Sequence, residues 1–204
     1  MVTPKVIFRY SWIYDKILRD LRTKEIKSFY KNRVPSFDTI YKFTKKIENV
    51  WIKDEKNIVK EISKITGLRW KEKEIPCYVV CSCRPFSDPL TIPAYLKYPD
   101  YFVDVLTHEL IHQIMIQNME SNGSKKLWRY IHKKYKCFPK TTRIHIPIHA
   151  IHKHIYLKFF NEKRLKRDIK FSQKSKDYKK SWDIVEKEGY ENIIKELKKI
   201  TKSS

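Results

Sequence analysis

At 204 residues the chain suits one compact domain with a real core, although two small lobes would also fit. The formal charge of +22, from 45 Lys and Arg against 23 Asp and Glu, favours anionic partners, but the basic residues are spread along the whole chain and not gathered in one stripe. No apolar run is long enough to cross a membrane, and Met1 to Arg22 lacks the uninterrupted apolar core of a secretory signal, so a soluble, cytoplasmic protein is expected.

Two alanines and three glycines beside many Lys, Ile and Tyr indicate biased residue usage, which by itself puts lysine on every solvated face. Nucleic acid therefore remains an alternative partner and not the leading one. Cys77, Cys81, Cys83 and Cys137 are expected to be reduced thiols in this compartment. On a strand the first three project to one face, which suits a buried apolar surface better than a structural zinc site.

The first third reads as helical scaffold, spanning residues 1–70. Trp12, Ile13, Ile17, Leu18 and Leu21 recur at helical spacing, and a second helix opens after Pro35 with Ser36 as N-cap. One stripe from Ile40 to Ile65 carries that helix to a stop at Gly67. Residues 75–160 hold the sheet and the candidate site. Ile75 to Ser82 is β-rich and closed by Arg84-Pro85, so it reads as a strand. Leu90 to Tyr95, bracketed by prolines, reads as an edge strand able to pair with an extended peptide. Tyr101 to Asn118 reads as a helix buried on most sides, followed by helices at about Lys125 to Tyr135 and Ile146 to Phe160, with Pro147 in the first turn of the latter. The Lys-rich segment 161–204 reads as a partly packed helical tail.

The chemistry lies in His108-Glu109-Leu110-Ile111-His112. Residues four apart share a helix face with Cβ atoms about 6 Å apart, so two imidazoles can reach one zinc ion at about 2.0–2.1 Å. Glu109 sits about a hundred degrees round the helix, placed to act on a metal-bound water as general base and then acid. Two His and a Glu among Val105, Leu106, Ile114 and Met115 are costly in a core unless paired or metal-bound.

Leu106 to Asn118 resembles the active-site helix of the zincin metallopeptidases. The resemblance implies an α+β fold, mostly helical with a short sheet, a Zn2+ cofactor and hydrolysis of peptide or protein substrates. The longer metzincin pattern is absent, because Met115 and Asn118 stand where its Gly and third His belong. The layout is nearer to zincins whose third ligand is a Glu on a later helix, but here the candidates are histidines. His145, His149 and His152 share a helical face, with His154 turned away. His149 is the expected third ligand and His145 a hydrogen-bond donor to the tetrahedral oxyanion, with the exchange of these roles open. His132 competes, since Trp128 to His132 resembles the third-ligand segment of SprT-like proteases, but Lys133 stands where that family has Gly. A surface histidine is the simpler account of His132 and His154. Asp104, one turn before His108, is either an orienting carboxylate for a ligand imidazole or a favourable charge near the helix N-terminus. The alternative function is a basic, DNA-associated protease or a nucleic-acid-binding protein with a structural metal.

Overall fold

A computed structural model describes residues 2–31 and 33–202. In chain order its elements are β1 (Lys5–Arg9), α1 (Trp12–Leu21), α2 (Thr23–Phe29), α3 (Phe37–Trp51), α4 (Glu55–Thr66), β2 (Glu74–Val80), β3 (Phe86–Ser87), β4 (Leu90–Pro93), α5 (Pro99–Gln117), α6 (Asn122–Lys134), α7 (Lys140–Phe159), α8 (Glu162–Ser172), α9 (Lys176–Glu188) and α10 (Tyr190–Lys202). The fold is α+β, mostly helical with one small sheet. Two compact units are built from them, one of Pro4–Lys56 and Glu72–Gln113, the other of Met1–Thr3, Asn57–Lys71 and Ile114–Ser204.

The first unit holds the sheet, in the order β1-β2-β4-β3. β1 and β4 each pair with β2 in parallel, whereas β3 pairs with β4 antiparallel. β1 lies in a stretch read from sequence as helical scaffold. Its alternation is that of a half-buried strand, with Val6 and Phe8 inward and Lys5 and Arg9 outward. β4 is not the open edge expected of Leu90 to Tyr95. The chain doubles back at Asp88-Pro89, so β3 lies alongside Leu90 and Thr91, and all four residues of β4 are buried. Its continuous burial is that of a strand covered on both faces of the sheet.

The expected single helix from Pro35 to Gly67 is two. α3 ends at Trp51, whose indole N–H donates to Glu55 Oε1 at 3.0 Å, and the same oxygen accepts the Val6 backbone N–H at 2.7 Å. Glu55 thereby satisfies a β1 donor that the sheet leaves open, which favours restarting the helix there. α1 also departs from its apolar pattern. Trp12, Ile13, Ile17 and Leu21 are exposed, and the buried residue is Asp15. Its carboxylate accepts from Arg19 Nε at 2.9 Å, from the Cys81 backbone N–H at 2.6 Å and from the Tyr10 hydroxyl at 3.3 Å. A buried charge with those partners sets the helix's rotation against the sheet more strongly than a few aliphatic side chains.

The second unit is helical around α7, which packs with α6, α8, α9 and α10. Ile146, Ile148, Ala150, Ile151, Ile155 and Tyr156 have no exposed surface. Pro147 lies in the helix interior and not in its first turn, because α7 begins at Lys140 with Pro139 at the N-cap. Its missing N–H leaves the Arg143 carbonyl without the usual helical donor, a cost the dense packing of α7 offsets. Glu61 on α4 joins α7 by accepting from His154 Nε2 at 2.9 Å and pairing with Lys158 Nζ at 2.7 Å.

Candidate metal centre

α5 carries His108 to His112 within an apolar wall in which Phe102, Leu106, Leu110, Ile111 and Ile114 are fully buried. Phe102 anchors its first turn against Phe8 of β1 and Phe43 of α3, at ring separations of 6.0 and 5.7 Å. One turn apart, the His108 and His112 rings stand 5.0 Å from each other. Both are half-buried, unlike their neighbours, so the pair reaches the one face of the helix that is not sealed.

The third imidazole of the group is that of His145. One ring nitrogen from each of His108, His112 and His145 lies within 4.8 Å of the others. Tetrahedral zinc with bonds of about 2.0–2.1 Å needs nitrogens about 3.4 Å apart. Among the described residues no cysteine joins a group able to share a metal, and the four cysteines are free thiols.

The surroundings of His145 prepare it for ligation. Its Nδ1 lies 2.8 Å from the Thr141 carbonyl, which can only accept, so Nδ1 carries the proton and Nε2 keeps its lone pair. Burial lowers its pKa below the ordinary histidine value, and the Thr141 carbonyl and Asp177 only partly oppose this. A neutral imidazole with one free lone pair is the form that binds a metal.

His149, expected as the ligand, is not in the group. The Ser181 hydroxyl donates to the Tyr178 carbonyl at 2.9 Å, so at 2.6 Å it accepts the Nδ1 proton of His149. The His149 ring stacks on Trp182 at 4.4 Å with planes 9° apart and is 1% exposed. His145 cannot serve as the neutral donor to an oxyanion through Nδ1, which is spent on Thr141. Tyr178 lies against it at 4.2 Å between ring centres. Sequence reading missed Tyr178 and Ser181, although Tyr178, Ser181 and Trp182 fall at helical spacing on one face of α9.

The remaining histidines lie elsewhere. His132 is exposed beside Trp128, as a surface residue. His154, also expected at the surface, is half-buried in its bond to Glu61. His152 is buried, 3.8 Å from Asp168. Asp104 is fully buried.

Glu109 is 7% exposed, and burial pushes its pKa up to about 8. Burial raises the pKa of the Cys77 and Cys83 thiols; Cys83 and then Glu109 add to this at Cys77, and at Cys83 Arg22 opposes it while Glu109 adds to it. Gln113, next to His112, donates through Nε2 to the Ser87 carbonyl and ties the short β3 to the motif helix. No family model, curated protein or solved structure matches the chain.

Proposed function

We propose that the chain is a zinc-dependent metallopeptidase in which His108, His112 and His145 hold the metal and Glu109 handles the proton. One observation carries this reading: a ring nitrogen of His145, 33 positions after His112, lies within 4.8 Å of those of His108 and His112, and the helix of that pair also carries the buried carboxylate of Glu109. A purely structural site has no use for that carboxylate. Zinc held by these three imidazoles would supply a Lewis acid that brings water to nucleophilic strength near pH 7.

The protein's own contribution is orientation and a tuned base. Thr141 engages Nδ1 of His145, which leaves Nε2 as its nitrogen for a metal. Glu109, in its poorly solvated position, would take a proton from the attacking water and return it to the leaving amine. Peptide as the substrate class rests on the resemblance of Leu106 to Asn118 to the zincin helix. With β4 flanked on both sides, the outer edge of β3 takes over the expected role of pairing with an extended substrate.

Metal content by mass spectrometry, measured on the wild type, His145→Ala and His149→Ala, tests the ligand set. Stoichiometric zinc in the wild type and in His149→Ala, with loss in His145→Ala, is expected; an unaltered metal content in His145→Ala would sink the assignment. Glu109→Gln should keep its zinc and lose hydrolysis of a quenched fluorescent peptide library by at least about a hundredfold. Retained turnover in that variant would remove Glu109 from the mechanism.

A further inference from the structure

The helical unit contains a second concave feature that the metal site does not use. A groove of about 1350 Å³ is bounded by the end of α4, the loop that follows it, the start of α6 and the end of α10. Its charged lining consists of Lys60, Lys64, Arg69, Lys71, Lys198 and Lys202, with no Asp or Glu among the lining residues. Over the whole chain, basic residues outnumber acidic ones by about two to one, so this wall is enriched well beyond composition. Lys60, Arg69, Lys71, Lys198 and Lys202 make no ion pair among the described residues, and Lys64 reaches Glu61 only at 4.0 Å. Except for the half-buried Lys198, all six are exposed.

The floor is rigid. A Cβ on Gly123 would stand 2.7 Å from the Thr201 carbonyl oxygen, so α6 and α10 approach as closely as glycine alone permits. Thr201 donates to the Thr66 carbonyl at 2.7 Å, joining α10 to α4. Gly67, at φ +72°, turns the chain out of α4 into the loop that carries Arg69 and Lys71.

We propose that this groove binds the phosphodiester backbone of a nucleic acid. Five lysines and one arginine are mostly point charges on flexible stems, which match spaced phosphates better than they match the planar carboxylates of an acidic peptide. An extended peptide would also look for a sheet edge, and the groove is walled by helices and a loop. The one aromatic residue in the lining, Trp70, is 3% exposed and donates its indole N–H to the Val59 carbonyl, so it offers no face for stacking a base. Recognition is therefore of charge and not of sequence, and a duplex serves as well as a single strand.

The test measures binding of a fluorescein-labelled, mixed-sequence DNA duplex by anisotropy over a range of salt concentrations. It compares wild type, a groove variant (Lys60→Gln, Arg69→Gln, Lys198→Gln and Lys202→Gln) and a control variant of equal charge loss outside the groove (Lys24→Gln, Lys27→Gln, Lys46→Gln and Lys56→Gln). The groove variant is expected to bind at least about tenfold more weakly and to flatten the slope of log K against log salt by about 3, while the control stays within about threefold of wild type. Circular dichroism and a urea midpoint accompany each variant, since cations at helix C-termini also favour the helix, and a role confined to stability would move the midpoint and leave affinity unchanged. Equal losses in both variants, absence of duplex binding at low salt, or tighter binding of poly-glutamate than of duplex would each overturn the proposal.

Discussion

The hydrogen bond from His145 Nδ1 to Thr141 decides which lone pair this residue offers, and its burial decides its charge. Both bear on stability as well as on metal binding. In the unfolded chain the imidazole takes up its proton near pH 6.5, whereas in the folded protein burial holds its pKa lower. Between those two values the unfolded state binds more protons, so stability is lost as pH falls below about 6.5 and levels off beneath the folded pKa. Metal-free protein should therefore show a falling urea midpoint from about pH 7.5 to 5.5, and His145→Asn should make that fall shallower. An identical pH dependence in the variant would mean that His145 is not held neutral by the fold. Zinc bound as proposed would add to the same trend, because the ligand must be unprotonated.

At the scale of elements, the rotation of α1 is governed by Asp15. Its carboxylate joins Arg19 to the backbone at Cys81, and Arg19 in turn donates to the Pro35 carbonyl at 2.7 Å. Asp15→Ala would leave a cation and a backbone donor without their buried partner, an expected loss of about 3–5 kcal/mol in urea unfolding at neutral pH. A loss below about 1 kcal/mol would show that solvent replaces the network. The same arrangement explains why this helix misled sequence reading. Its aliphatic residues recur at helical spacing, but the face they form is exposed, and hydropathy counted over a few turns does not register one satisfied carboxylate. α5 and α7 were legible for the opposite reason: long apolar runs admit few alternatives to burial, so polar residues within them stand out. β1 and β3 were not, because strands of five and two residues are defined by what pairs with them.

Over the whole molecule the charge of +22 acts on both folding and association. Like charges repel more in the compact state than in the expanded chain, so screening stabilises the fold. Raising ionic strength from about 0.01 M to 0.15 M shortens the Debye length from about 30 Å to 8 Å, and the urea midpoint should rise accordingly. A midpoint that falls instead would mean that favourable ion pairs such as those of Glu61 and Asp15 outweigh the net repulsion. The sum of charges was plain in the sequence, but its local concentration was not. Lys60 and Arg69 are far along the chain from Lys202, and the three border one groove only because α4, α6 and α10 meet there.

The metal site divides along the same line. The spacing of His108 and His112, and the position of Glu109 between them, follow from the pitch of a helix and needed nothing beyond the sequence. That a third histidine would come from 145–154 was also legible, since that segment is so rich in them. The choice of His145 over His149 was not. The two are one turn apart on the same face of α7, and helical periodicity treats them alike. The difference arises from tertiary placement: Ser181 and Trp182 on α9 engage His149, whereas a ring nitrogen of His145 comes within 4.8 Å of those of His108 and His112.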